Sequence, residues 1–373
     1  MSKVVVNSLR DKEVAGRDLE QAVDQMLDRI YGGPISFYRD RLLVKPNLHQ
    51  PQLWTTGGTT SPHLVAALVR CLRRRQAADV IVADGPHHTV EQPRAVFTQT
   101  GMAAAVEEAG GRWACFHDEA YKPYAGASQW LPQVVGLPAL LPACDRVINV
   151  ACLKTHFNCL ASLGLKNLKG CLRPQDKRAL HHMPDLDRAV VAVARLVRPS
   201  VTIIDGTVGM EGMGPAEGTP ADMRVILGGR DPVAVDAVAS YLMGLEPQQV
   251  RSIKLAHEAG LGQMDLAHIA IVGDELEPLR RRLKLPHEDL LERYPQLQLC
   301  AEGACSGCLT RLFEALSAVE QAGVRVPART LVMGRSEGDR RALFLGDCTR
   351  LRSGDAFVPG CPPSTEAVKQ ALA

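Results

Sequence analysis

Ser61-Pro62-His63-Leu64-Val65-Ala66-Ala67-Leu68-Val69-Arg70-Cys71-Leu72-Arg73-Arg74-Arg75, then Val80-Ile81-Val82, then Ala83-Asp84-Gly85-Pro86, is the stretch that decides the fold. Its first part repeats apolar residues at intervals of three and four, the period of a helix with one buried face. Its second is a short β-branched run, and its third a polar loop that follows a strand. The same alternation continues in both directions. Val4-Val5-Val6, Leu42-Leu43-Val44, Val147-Ile148-Asn149-Val150, Val201-Thr202-Ile203-Ile204, Val225-Ile226-Leu227 and Ile269-Ala270-Ile271-Val272 read as strands. Helical patterns over residues 19–30, 185–197 and 232–243 lie between them. The expected fold class is α/β: a mostly parallel sheet covered by helices over residues 1–275, with ligands gathering at the carboxyl ends of the strands.

The remainder divides into a connector over residues 276–298, charged and punctuated by proline, and a smaller α+β module over 299–373. Two domains suit a chain of 373 residues with 46% hydrophobic and 23% charged residues. A formal net charge of +2 is too mild for a nucleic-acid footprint, and Arg70, Arg73, Arg74 and Arg75 read as a solvated helix face. No apolar run approaches the ~18 to 20 residues that span a bilayer. Met1-Ser2-Lys3-Val4-Val5-Val6-Asn7 has no long apolar core with a cleavage site, so the expected location is cytoplasmic.

Eleven cysteines include five near the end: Cys300, Cys305, Cys308, Cys348 and Cys361. A close Cys-x-x-Cys pair with distant partners suits an iron-sulfur cluster, which is held by thiolates. Zinc is the rival metal, but a structural zinc site often has two such knuckles and only Cys305/Cys308 forms one. Disulfides belong to oxidising compartments. Cys71, Cys115 and Cys144 lie in apolar stretches and read as packing. A helix over 304–321 carries Cys305 and Cys308 at its start, where unpaired N–H groups and the helix dipole favour an anionic cluster. Strands are expected at Leu331-Val332-Met333 and Ala342-Leu343-Phe344-Leu345, the second delivering Cys348. Cys300-x4-Cys305-x2-Cys308 also matches the plant-type spacing of a 2Fe–2S centre.

Functional groups follow the strands. Lys45 and Asn47 come after the second, Asp84, His87 and His88 after the third, Lys154 and His156 after the fourth, and Asp205 after the fifth. Parallel strands would bring them to one sheet edge. Residues 154–169 are densest, with Asn158, Lys166, Asn167 and Lys169 joining Lys154 and His156 in an anion-binding wall. Lysine ammonium groups serve as point charges for carboxylate or phosphate. Gly212 and Gly214, in a glycine-rich stretch, would add backbone N–H donors. The expected catalytic residues are Lys154, His156 and Lys166; Lys45, Asn47, Asp84, His87, Asn167, Lys169, Asp205, Gly212 and Gly214 are expected to bind substrate. Cys152 and Cys159 flank the wall and read as packing, with a reactive thiol or a ligand to a second metal as the alternative. His181-His182 is expected in an exposed loop. No dinucleotide fingerprint or Walker loop is present, so neither NAD nor ATP is invoked. The sequence leaves open a flavin and a second metal near His87, His88 and His156.

Pro359-Gly360-Cys361-Pro362-Pro363 with its helix-prone tail resembles a stretch in the small subunits of respiratory NADH dehydrogenase and nickel-iron hydrogenases. That resemblance implies a 4Fe–4S cluster on Cys305, Cys308, Cys348 and Cys361. Most of the chain resembles the family called domain of unknown function 362. The likeness rests on residues 43–48, 83–86, 147–150, 153–156, 164–170, 205–206, 209–215 and 231–236, among them Gly164-Leu165-Lys166-Asn167-Leu168-Lys169-Gly170. A more distant similarity, to the amino-terminal domain of lactate racemase, aligns His156 and Lys166 with that enzyme's nickel-pincer neighbourhood; it implies the architecture and not the cofactor. The resulting expectation is an iron-sulfur oxidoreductase passing electrons from a 4Fe–4S cluster to a small anionic substrate, with an external donor such as ferredoxin or flavodoxin. The alternatives are a cluster acting as Lewis acid in a hydratase or lyase, and an electron carrier without its own substrate. No nucleic-acid or membrane partner is expected.

Overall fold

A computed structural model of the chain describes residues 1–126, 128–181, 185–302, 304, 306–352 and 354–372. Its strands are β1 (Ser2–Ser8), β2 (Arg41–Lys45), β3 (Asp79–Asp84), β4 (Arg112–Cys115), β5 (Tyr121–Ala125), β6 (Val134–Pro138), β7 (Arg146–His156), β8 (Leu160–Ser162), β9 (Val201–Glu211), β10 (Thr219–Ala221), β11 (Val225–Gly229), β12 (Ile269–Gly273), β13 (Leu297–Cys300), β14 (Arg329–Val332), β15 (Leu343–Leu345) and β16 (Ala356–Val358). All seven expected strands of the α/β region form. The main sheet runs β12-β1-β11-β9-β7-β2-β3-β4, with β10 paired to β9 and β8 to β7.

The centre of this sheet is parallel: β9 with β7, β7 with β2, β2 with β3 and β3 with β4. β11 is antiparallel to both neighbours, so the sheet is mostly rather than wholly parallel. Alternate residues divide between two cores, as the period of two requires. Val5, Leu42, Val44, Val80 and Val82 pack with helices Gly16–Tyr31 and Pro62–Arg74. Val4, Val6, Leu43, Ile81 and Ala83 pack on the other face with helices Leu186–Val197, Pro232–Leu242 and Arg251–Glu258. Both faces are therefore covered, which explains the near-continuous apolar character of these strands.

The arginine run differs from its expectation. Arg70 and Arg74 pair with Glu20, and Arg75 pairs with Asp24 at 3.0 Å and Asp28 at 2.7 Å, all on the helix Gly16–Tyr31. Three of the four arginines thus tie two helices together.

The expected connector holds a helix, Pro286–Arg293, and the start of β13. β13-β14-β15-β16 form a separate parallel sheet. The helices Ser306–Gln321 and Thr365–Leu372 pack with it. His181 ends the helix Pro174–His181 rather than sitting in a loop, and His182 lies outside the described residues. Among the described residues no helix is long and apolar enough to cross a membrane.

Candidate anion cleft and cysteine module

The parallel strands β2, β3 and β7 bring Lys45, Asp84, Lys154 and His156 to one cavity of about 510 Å³. The short helix Gly164–Asn167 and the turn after it add Lys166, Asn167 and Lys169, and the helix Pro174–His181 adds Lys177. Five lysines therefore line one cleft. The remaining walls include His49, His87, Phe157, Asn158, Met213 and Phe313.

A hydrogen-bonded chain sets the lysine positions. Lys45 Nζ lies 2.7 Å from Asp84 Oδ1 and donates to Asn167 Oδ1 at 3.2 Å. Asn47 Nδ2 donates to that same oxygen at 2.9 Å, while Asn47 Oδ1 accepts from Lys154 Nζ at 2.8 Å. Asn167 Nδ2 in turn donates to Asn149 Oδ1 at 2.8 Å. Asn167 is thus the hub, which accounts for a buried amide beside buried lysines. Asp84 also accepts from the backbone N–H of Leu48 and Gly85, so its carboxylate organises the β2 and β3 turns. Gly170 is required at this point, because a Cβ would sit 2.5 Å from Asp84 Oδ1 and 2.6 Å from Lys45 Nζ.

Burial dominates the electrostatics. Desolvation pulls Lys154 and Lys177 down to about 8 and Lys169 to about 7, and it lowers Lys166 as well. Lys154 Nζ also donates to Gly58 O at 2.8 Å, and Lys177 Nζ to Gly85 O at 2.7 Å. Among the described residues Lys166 Nζ has no hydrogen-bond partner. Desolvation, reinforced by the neighbouring lysines, also holds His49 and His156 well below the ordinary imidazole value. His156 Nδ1 accepts from the Asn158 N–H at 2.9 Å, so the neutral ring carries its proton on Nε2. His49 Nδ1 is buried with no hydrogen-bond partner among the described residues.

The fully buried Asp236 accepts from the N–H groups of Gly164 and Leu165, both at 2.8 Å, and so anchors the start of the helix that presents Lys166 and Asn167. Burial raises its carboxyl to about 7.

Three expected substrate contacts fall elsewhere. Asp205 accepts from Ser61 N at 2.7 Å and from Thr207 N and Oγ1, joining β9 to the start of the helix Pro62–Arg74, and it does not line the cleft. Gly212 and Gly214 are absent from the cleft wall as well; their neighbours Met213 and Pro215 line it instead. Both glycines permit close backbone approach, since a Cβ would meet Asp289 at 2.3 Å or the Thr155 carbonyl at 2.1 Å. Burial pushes the Cys152 thiol to about 12 and raises that of Cys159, so both stay protonated and act as packing groups.

In the carboxyl-terminal module Cys308 is buried near the start of the helix Ser306–Gln321, while Cys348 and Cys361 are exposed. Gly346 (φ +91°) marks where Cys308 and Cys348 approach each other: a Cβ there would lie 2.7 Å from Cys308 Sγ and 3.7 Å from Cys348 Sγ. Asp347 N donates to Gly360 O at 3.0 Å and Gly360 N donates to Asp347 Oδ1 at 3.0 Å. That reciprocal pair ties the loop bearing Cys348 to the loop bearing Cys361. Cys300 packs with Val332 and Phe344, whereas Cys308 packs in the core that contains Leu331, Leu343 and Leu345. Alternate residues point to opposite faces of a sheet, so Cys300 lies across the sheet from Cys308. Among the described residues no three His, Cys, Asp or Glu side chains are grouped to hold a metal ion, and Cys305 lies outside the described residues.

The module touches the cleft through its first helix. Thr310 Oγ1 donates to Asn158 O at 2.6 Å. Phe313, which lines the cleft, lies 5.2 Å from the Phe157 ring, and Phe157 stacks on His156 at 5.1 Å. From Cys308 to Phe313 is five residues, about 7.5 Å along a helix.

Lys177, His49, Asp236 and Phe313 were missed by the strand-end logic. His49 lies two residues beyond Asn47 on the same turn and was within reach of it; the other three lie on helices that only tertiary packing brings to the site.

A family model described as a domain of unknown function, DUF362, matches residues 42–241, a span holding all five cleft lysines and none of the five carboxyl-terminal cysteines. The thylakoid-associated protein sll1697 of Synechocystis sp. is 27% identical over 272 residues, covering 69% of this chain and 79% of that protein. The lactate racemase apoprotein of Thermoanaerobacterium thermosaccharolyticum aligns at 12% identity with a TM-score of 0.39, over 66% of this chain and 58% of that one.

Proposed function

The chain belongs to the DUF362 family, and from that premise we propose that it is an iron-sulfur oxidoreductase whose cleft binds a small carboxylate or phosphate. The observation that carries the substrate class is the cleft itself: five lysines face one cavity whose buried carboxylate, Asp84, is already committed to Lys45 and two backbone N–H groups. An anion entering that space meets Lys154 and Lys177, whose ammonium groups donate to neutral oxygens. Lys166 and Lys169 hold it, and Lys154, with a pKa of about 8, is poised to give up a proton near neutral pH.

The cysteine module is the proposed seat of a 4Fe–4S cluster on Cys305, Cys308, Cys348 and Cys361. Two sulfurs within 4 Å of one glycine position, with the Cys361 loop tied alongside, support that ligand set. The placement of Cys300 across the sheet argues against the 2Fe–2S alternative. Such a cluster supplies single electrons when bound. The chain's own contribution is to keep Phe313, Phe157 and His156 in contact between the module and the cleft. A ferredoxin- or flavodoxin-type donor would supply the electrons.

Anaerobic reconstitution followed by iron and sulfide counting tests this reading. Four irons per chain, retained in Cys300→Ser and lost in Cys308→Ser, Cys348→Ser and Cys361→Ser, is the expected pattern. Full iron content in those three variants, or a bound metal without sulfide, overturns it.

A further inference from the structure

We infer that the cleft takes a polyanion, a small molecule with at least two carboxylate or phosphate groups, and that the protein draws protons from solvent as this ligand enters. This deepens the substrate class proposed above and rests on that reading of the cleft.

The geometry sets the charge of the ligand. Lys154 and Lys177 spend donors on neutral carbonyl oxygens, which orient the ammonium groups and leave their charge uncancelled. Lys166 has no hydrogen-bond partner among the described residues. Among the described residues, the groups facing Lys154, Lys166 and Lys177 do little to compensate. Lys154 faces Cys152, Lys166, Asp84 and Lys45; Lys169 faces Lys166, Cys159 and Lys177; Lys166 faces Cys159 and Asp187; Lys177 faces Asp84, Lys45, Cys171 and Cys115. Burial keeps those thiols neutral, Asp84 is held by Lys45, and Asp187, which faces Lys166, also lies 3.9 Å from Arg251. A single carboxylate would offset one ammonium and leave the others desolvated. A cavity of about 510 Å³ has room for more than one such group.

Proton uptake follows from the same arrangement. With Lys169 at about 7 and Lys154 and Lys177 at about 8, the empty cleft at pH 8 holds fewer protons than it has amines. A bound polyanion favours the ammonium form and pulls those protons back.

Titration calorimetry of the full chain at pH 8, in two buffers of different ionisation enthalpy, tests this with four probes: acetate, methyl phosphate, citrate and 2-phosphoglycolate. Citrate or 2-phosphoglycolate should bind at least about tenfold tighter than either one-group probe, taking up about one proton per ligand. Whether citrate or 2-phosphoglycolate binds better separates a carboxylate site from a phosphate site. Lys169→Met should lose both affinity and uptake. Lys169→Arg should keep most of the affinity and lose part of the uptake, because arginine does not deprotonate; that variant guards against a methionine variant that fails to fold. Equal affinity for citrate and acetate, or polyanion binding with the same heat in both buffers, overturns the inference while leaving a simpler anion cleft. If none of the four probes binds, the anion reading falls with it, whatever the iron count.

Discussion

Thr310 Oγ1 donates to the carbonyl oxygen of Asn158 across 152 positions of sequence, joining the helix that carries Cys308 to the turn between β7 and β8. His156 sits at the end of β7 and its Nδ1 accepts from the N–H of that same Asn158. The carbonyl and amide of one residue thus link the module to the imidazole in the lysine cleft. Thr310→Val keeps the shape and removes the donor. The half-buried carbonyl then lacks its partner, at a cost of about 0.5–1.5 kcal/mol. Urea denaturation should show that loss, and unchanged stability would mean the bond does not hold the two parts together.

Gly346 is the second such point. Alanine there would place a methyl 2.7 Å from Cys308 Sγ at a φ of +91°. The backbone penalty for a non-glycine residue in that region is about 1–2 kcal/mol, and the methyl occupies space beside two sulfurs. Gly346→Ala should therefore reduce the iron content of anaerobically reconstituted protein to less than about half, with main-sheet circular dichroism preserved. A variant with full iron and sulfide would show that the sulfurs do not gather at that glycine.

Lys166 separates binding from stability. It is a desolvated cation without a hydrogen-bond partner among the described residues, and burial lowers its pKa. Removing a half-buried charge that Asp187 offsets only in part relieves a cost, so Lys166→Met should stabilise the ligand-free protein by up to about 1 kcal/mol. Citrate should no longer raise its melting temperature as it raises that of the parent. A variant that melts lower and still responds fully to citrate would contradict both halves.

The α/β core was legible because the central strands are buried on both faces and so advertise themselves as apolar runs: Leu42-Leu43-Val44 and Val80-Ile81-Val82 are adjacent parallel strands. β4, with Arg112 and Trp113 at the sheet edge, has no such run and passed unnoticed. The cleft lysines were legible as far as they follow strands. Asp205 was misplaced because a carboxylate after a strand looks the same whether it binds substrate or holds the N-cap residue of a helix far away in sequence; only its bond to Ser61 N decides. Lys177 was hidden because a lysine on a polar helix reads as solvated until packing brings that helix over the Gly85 carbonyl.

The pH dependence of stability follows from the lowered lysines, with signs worked from each group. Lys154 and Lys177 fall from 10.5 to about 8, and Lys169 to about 7. Between those values and 10.5 the unfolded chain binds more protons than the folded one, so stability rises with pH through that window. Competing groups act at or below about pH 7, or above about pH 9. Asp236, raised from 3.8 to about 7, costs stability as pH climbs between those values and adds nothing further above 7. His49 and His156 are lowered, so their contribution grows with pH only up to about the ordinary 6.5. Cys152 and Cys171, raised from 9.0 to about 12, reduce stability once the unfolded thiols ionise above 9. From pH 7 to about 8.5 the lysines therefore set the slope, and the anion-free protein should gain on the order of 1 kcal/mol. Urea midpoints measured across that range should move upward, and Lys169→Met should flatten the rise. A fall in stability over the same range would mean that the cleft lysines keep their ordinary affinity for protons.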